Sequence, residues 1–387
     1  MEYPSIILKH NRTSSILRQH PWVFSGAIYK LPPDLQNGMV IKIKDAAENI
    51  LGVGHYFDGS IAVRIISFSD TDNIEEVIEN HFNKAFQLRN SLNLIHNPST
   101  TCYRLIHGEG DGLPGLIVDI YNQTAVIQCH TVGMYQHLDL FITVLKKQYH
   151  NIAIYDKSSD VLKEAKPKGF ISGEGVTNAI VLENNLSFYV DWEKGQKTGF
   201  FIDQRNNRKI LQKYVENKDV INLFSYTGGF SIYAAAAGAK SVISVDASQF
   251  ANDGCIKNFE INFNKSHETV TTDAVEYLKS MSHQYDVIIL DPPAFAKHLS
   301  SKHKAIQGYK KIYYQAIKHI KTGGILLTFS CSQVIDQATF KDTIVAAGIE
   351  AGRTVKIIDQ LSQPEDHPIN LFHPESSYLK GLVLYIE

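Results

Sequence analysis

From Asp219 onward the chain repeats one pattern: an apolar run closing on a polar or acidic residue, then a helical stretch. The runs are VINLF (220–224), SVISVD (241–246), VIILD (287–291) and GGILLTFS (323–330). Strands alternating with helices predict a parallel sheet joined by right-handed crossovers. In such sheets ligands sit at the carboxyl ends of the strands, where these runs place Asp246, Asp291 and Cys331. The tail segments VKIIDQ (355–360) and KGLVLYIE (380–387) are expected to add an antiparallel pair.

The first 70 residues read differently. Segments 38–45, 49–56 and 60–67 are short β-runs punctuated by Gly and Asp, which predicts a small β-barrel-like module. Trp22 and Phe24 are expected in its core. Between the two regions, residues 74–94 carry apolar residues at helical spacing, with Asp72 or Asn73 as the cap. Residues 103–190 mix strands with a helix near 134–149, and hairpins are expected at Asn122-Gln123 and Asn184-Asn185. The expected domains are 1–70, 71–190 and 191–387.

Four cysteines without metal spacing exclude a disulfide framework, and no metal site is expected. No run reaches 18 apolar residues, so no membrane span is predicted. The start lacks the apolar core of a signal peptide, which points to a reducing, cytoplasmic setting.

The turn Ser225-Tyr-Thr-Gly-Gly229 follows the first strand of the pattern. Glycines there let the backbone approach a ligand, and the helix beyond offers free N–H groups. The alternative is a plain βαβ turn with glycine for packing, and the acidic residues at the next strand ends weigh further against it. Asp246 at the next strand end suits a ribose diol, and Asp273 after a third run suits an exocyclic amine. No GxGxxG is present, which weighs against a nicotinamide cofactor. Asp291-Pro-Pro-Ala-Phe295 follows the next strand, where Phe295 offers a flat face to a base. Cys331, flanked by Ser330 and Ser332, is the one cysteine at a strand end and the candidate nucleophile. Cys102, Cys129 and Cys255 are expected to be buried core residues.

Together, NLFSYTGGFS, VISVD, ILDPPAFAK and TFSCSQ resemble the class I S-adenosylmethionine-dependent RNA methyltransferases. Segments 9–28, 108–121 and 193–208 are similar to the bacterial 23S (large-subunit) rRNA cytosine-C5 methyltransferases, and the likeness spans the chain. The resemblance implies an α/β architecture of three parts: an N-terminal PUA-like barrel, an α+β connecting domain and a C-terminal Rossmann-like methyltransferase domain. It implies S-adenosylmethionine as cofactor. It assigns Phe201, Asp203, Gln204 and Arg205 to a segment closing over the cofactor, and Asn222, Phe224 and Gly228 to its methionine side. Asp246 would meet the ribose and Asp273 the adenine, with Asp291 at the junction of cofactor and base. Pro292, Pro293, Phe295 and Lys297 would meet the substrate, and Cys331 matches the nucleophile. The expected partner is 23S rRNA or the assembling large subunit, and the family includes homodimers. One departure stands out: two-cysteine relatives carry a second Cys after the Pro pair, where this chain has Ala294.

Three other readings stay open on the residues alone. They are a guanine-N rRNA methyltransferase on the same fold, a nicotinamide-dependent oxidoreductase and a non-catalytic RNA binder.

The formal charge of −2 averages unlike parts. Residues 71–190 carry 9 basic and 13 acidic groups, whereas 194–213 carry 6 and 1 and 297–321 carry 7 and none. Basic runs beside the cofactor and catalytic motifs suit a polyanion.

Overall fold

The computed structural model describes residues 3–296 and 298–387. Lys297, expected to meet substrate, lies outside them. The chain forms two compact units that interleave along the sequence. The first comprises 1–181, 190–202 and 365–376; the second comprises 182–189, 203–364 and 377–387.

In the first unit, β1 (Ser5–Leu8), the short helix α1 (Ser14–Leu17), β2 (Trp22–Phe24), β3 (Ile28–Lys30), β4 (Val40–Lys44), β5 (Ile50–Tyr56) and β6 (Ile61–Ser67) come first. The strands form a six-stranded sheet ordered β2-β6-β5-β4-β1-β3. The matching PUA-like model described below makes this the expected barrel-like module. Phe24, expected in the core, is instead 48% exposed. It ends a three-residue strand at the sheet edge, where no further strand covers it.

Helix α2 (Ile74–Ser91) starts at Asn73, whose side chain accepts from the Glu76 N–H. A five-stranded sheet follows: β7 (Cys102–His107), β8 (Leu116–Tyr121), β9 (Thr124–Cys129), β10 (Ala153–Asp156) and β11 (Gly169–Ser172). In place of one helix near 134–149 there are two, α3 (Val132–Tyr135) and α4 (Leu138–Gln148). Val53 and Ile66 of the N-terminal sheet share a core with Ile78, Phe82 and Phe141 of this layer. Hairpin β12 (Asn178–Glu183) to β13 (Leu186–Asp191) turns at Asn184 and Asn185, both left-handed, as a two-residue hairpin loop requires.

Residues 365–376 join this unit through Asp366. Its carboxylate accepts from the Arg104 N–H at 3.0 Å, and its carbonyl accepts from the Arg89 guanidinium at 2.8 Å.

The second unit is built on a seven-stranded sheet ordered β16-β15-β14-β17-β18-β20-β19. Its elements are α5 (Arg205–Leu211), β14 (Asp219–Leu223), α6 (Gly229–Ala236), β15 (Ser241–Asp246), α7 (Gln249–Phe263), β16 (Glu268–Thr271), α8 (Ala274–Ser280), β17 (Tyr285–Leu290), α9 (Lys302–His319), β18 (Ile320–Ser330), α10 (Gln337–Ala351), β19 (Val355–Leu361) and β20 (Lys380–Ile386). β14 to β18 are parallel; β20 runs antiparallel between β18 and β19. Helices cover both faces, so β14 is buried along its whole length, its polar Asp219 and Asn222 included. One core packs Tyr309, Tyr313 and Phe340 on one face, and another packs Phe230, Phe329 and Leu361 on the other. No helix among the described residues is long and apolar enough to cross a membrane.

Candidate functional site

β14 delivers Asn222 to the sheet edge, 1% exposed. Its amide donates to Ser231 Oγ at 2.9 Å, and a chain continues through Ser244 Oγ at 2.6 Å to His267 Nε2 at 2.7 Å. Beyond Leu223 the backbone turns sharply. Phe224, Tyr226 and Gly228 have φ of 59°, 47° and 78°. Left-handed backbone costs roughly 1–2 kcal/mol for a residue with a Cβ, so this turn holds strain at two non-glycine positions. Asp246 fixes it: Oδ2 accepts from the Tyr226 N–H at 2.8 Å, and Oδ1 accepts from the Ser248 N–H at 2.9 Å. Gly228 admits no side chain, since a Cβ would stand 2.3 Å from Cys255 Sγ.

Asp273 caps α8, its Oδ1 accepting from the N–H groups of Val275 and Glu276 at 2.9 and 3.1 Å. It is exposed at the end of β16, one strand beyond Asp246. Asn222, Phe224, Gly228, Asp246 and Asp273 thus lie at or beyond the carboxyl ends of three adjacent parallel strands.

Asp203, Gln204 and Arg205 are buried at the start of α5. The Gln204 amide donates to Asp291 Oδ2 at 3.0 Å and accepts from Asn207 Nδ2 at 2.6 Å. Asp203 Oδ2 accepts from the Tyr378 hydroxyl at 2.8 Å. Phe201 belongs to the first compact unit, where the Lys197 ammonium lies 4.4 Å from its ring centroid.

β17 and β18 are parallel neighbours, and Asp291 and Cys331 are the first residues beyond their carboxyl ends. Pro292 is buried and Pro293 exposed. Phe295 packs on Tyr309 at 4.6 Å between ring centroids and closes on Gly308, so α9 positions its ring. Cys331 is partly exposed; Cys102, Cys129 and Cys255 are fully buried, as expected. Burial pushes the Cys255 thiol up to about 12 and the Cys129 thiol further up.

Two features escaped the sequence reading. Lys380 is buried beside the residues flanking Cys331. Arg208 and Arg205, counted above in a basic surface run, are 2% and 3% exposed. Arg208 makes a two-pronged pair with the fully buried Glu183 at 2.8 and 2.6 Å, which removes its charge from any surface role.

A nucleoside-sulfonium ligand fits this edge on the structure's own terms. Asn222 Oδ1 and Ser225 Oγ are buried without a hydrogen-bond partner at the glycine turn. Buried polar atoms left so are costly, and a ligand's ammonium or carboxylate satisfies such atoms.

A seven-stranded sheet with one antiparallel strand, a glycine turn after its central strand and acidic residues at the next strand ends define the Rossmann-like methyltransferase class. The model of the S-adenosylmethionine-dependent methyltransferases matches residues 161–383, and a PUA-like model matches residues 6–68. The ribosomal RNA large subunit methyltransferase I of Alteromonas mediterranea is 38% identical over 98% of both chains. That of Salmonella typhi is 37% identical, covering 98% of this chain and 97% of its own. A structure described as an S-adenosylmethionine-dependent methyltransferase from Streptococcus mutans superposes with a TM-score of 0.85 at 24% identity, over 99% of this chain and all of that one, and shows the same fold. The chain therefore belongs to the S-adenosylmethionine-dependent methyltransferases and, among them, to the ribosomal RNA large subunit methyltransferase I family.

Proposed function

We propose that the protein methylates C5 of a cytosine in the 23S rRNA of the large ribosomal subunit, free or assembling, using Cys331 as nucleophile. The observation carrying this reading is that Cys331, the only incompletely buried cysteine among the described residues, follows the strand next to the one that Asp291 follows, at the sheet edge that also carries the glycine turn. The relatives' names supply the ribosomal substrate class. Residues 1–70 serve as the RNA-binding module, 71–190 as a connecting domain and 191–387 as the catalytic domain.

S-adenosylmethionine, when bound, supplies an electrophilic methyl group. The chain's residues do the rest. Phe201, Asp203, Gln204 and Arg205 form the segment that covers the cofactor. Asn222, Phe224 and Gly228 hold its methionine portion, Asp246 its ribose hydroxyls and Asp273 its adenine amine. Cytosine C5 is a poor nucleophile. Bond formation between the Cys331 sulfur and C6 moves electron density to C5. Asp291, oriented by Gln204, hydrogen-bonds the ring at N3 or N4 and favours the protonated ring that develops during attack. Loss of the C5 proton after methyl transfer restores the C5–C6 double bond and expels the thiolate. Pro292 and Pro293 stiffen the wall against which the extruded base rests, with Phe295 as its stacking face. Ala294 makes this a one-cysteine scheme.

The test is Cys331→Ala, assayed with unmodified rRNA and nucleoside mass spectrometry. 5-Methylcytosine should vanish while cofactor affinity is kept. 5-Methylcytosine formed at the wild-type rate would refute the nucleophile, and N-methylguanosine as the product would establish the guanine reading.

A further inference from the structure

Lys380 opens β20, and the antiparallel register pairs it with Ser330, the residue before Cys331. Its ammonium donates to the carbonyl of Ser332, the residue after Cys331, at 3.0 Å, and to the carbonyl of Tyr378 at 2.7 Å. Lys380 thus pairs through its backbone with the position before the cysteine and through its ammonium with the carbonyl after it. Lys380 is only 8% exposed. An ammonium has three N–H donors, and these carbonyls engage two. They are neutral dipoles, whereas a buried cation is costly unless an opposite charge stands near.

The ionisable groups around Cys331 come from four elements. Tyr309 on α9 is pushed by burial to about 12 and stays an uncharged phenol. Asp291 follows β17 and is engaged by Gln204. Asp336 caps α10, where the Thr339 N–H holds its carboxyl down at about 2, and it also pairs with Lys302 at 3.3 Å. Lys380 comes from β20. Burial lowers the Lys380 pKa; Cys331 and Asp336 pull it back up.

We infer that Lys380 is a positioning residue whose buried ammonium is the charge partner of the Cys331 sulfur and holds it as the thiolate. The thiol proton leaves to solvent, and the thiolate forms facing a fixed cation. The inference rests on Cys331 as the nucleophile proposed above, and it gives that nucleophile its means of activation.

The test is the pH dependence of iodoacetamide alkylation of Cys331 in the full-length protein, followed by peptide mass spectrometry. The other cysteines are buried, so the readout is selective. Lys380→Met should move the midpoint up by at least about one pH unit, which is about tenfold slower alkylation at neutral pH. Lys380→Arg should keep the wild-type midpoint. Superimposable profiles for wild type and Lys380→Met would overturn the pairing. Should Lys380→Met not fold, Lys380→Gln decides, because the amide keeps a donor for the Ser332 carbonyl while removing the charge. A midpoint moved to higher pH supports the pairing, and an unmoved one overturns it. Full 5-methylcytosine formation by Cys331→Ala would end the nucleophile reading, while the alkylation profile still decides the pairing.

Discussion

Gly228→Ala tests the turn proposed to hold the cofactor at its tightest point. Two costs can be separated. Gly228 sits at φ 78°, where a Cβ costs roughly 1–2 kcal/mol. The same Cβ would also lie 2.3 Å from Cys255 Sγ, over 1 Å inside ordinary contact, in a fully buried site on α7. Overpacking of that kind costs roughly 1–3 kcal/mol. Stability of the second unit should fall by about 2–5 kcal/mol, and its melting temperature by about 5–15 °C. Relieving the clash moves the turn by about 1 Å, a misplacement that costs on the order of 100-fold in a positioned site. S-adenosylmethionine affinity by calorimetry should drop by about 10- to 100-fold. Cys255→Ala removes the sulfur but leaves the backbone strained. The double variant should therefore recover the overpacking part and retain the backbone part. A Gly228→Ala protein with wild-type melting and cofactor affinity would refute the geometry. A double variant no better than the single one would refute Cys255 as the obstacle.

Three further outcomes are expected. Glu183→Gln strands the buried Arg208 guanidinium and should destabilise the protein by about 3–5 kcal/mol in urea titrations; replacing both partners should cost less. Burial lowers the pKa of His267 from 6.5 to about 4, so the unfolded chain binds the proton first as pH falls. His267 stability is accordingly full above about pH 6.5 and lost on acidification toward pH 4, and His267→Gln should flatten that dependence in melting curves. Neutralising the exposed Lys304, Lys311 and Lys318 of α9 should weaken RNA binding regardless of sequence and reduce the log–log salt slope by about 2, measured between 50 and 200 mM salt. An unchanged slope removes α9 from the RNA-facing surface.

The sheet of the second unit was legible because its signals are local. A β-branched run, a polar strand end and a glycine turn each lie within ten residues, and the parallel order follows from alternation with helices. The hairpin at Asn184-Asn185 was legible for the same reason, since two left-handed residues in succession favour asparagine. What stayed hidden depends on pairing across the chain. β1, β2 and β3 have only three or four residues each and take their identity from partners in the six-stranded sheet. Lys380 is an ordinary strand-leading lysine until the β18–β20 register sets it beside Cys331. Arg208 counts as surface charge until Glu183 is found opposite it. The membership of 365–376 in the first unit rests on Asp366 meeting Arg89 and Arg104, more than 260 residues away.

The turn after β14 shows why the local signal coincides with the site. Left-handed residues at 224, 226 and 228 alternate within five positions, and only one is glycine. Folding alone does not ask for this, because a helix can follow a strand through an unstrained loop. The strain persists because Asp246 locks the Tyr226 N–H and the Ser225 N–H is held by the Val245 carbonyl at 3.1 Å, so the neighbouring strand overdetermines the turn. In return the helix start is drawn in against Cys255, and Asn222 Oδ1 and Ser225 Oγ stay buried and unpartnered. A sequence optimised for stability would relax the first feature and satisfy the second. Both survive at one sheet edge, where a ligand with polar groups at one end can use the rigid backbone and meet the unsatisfied atoms.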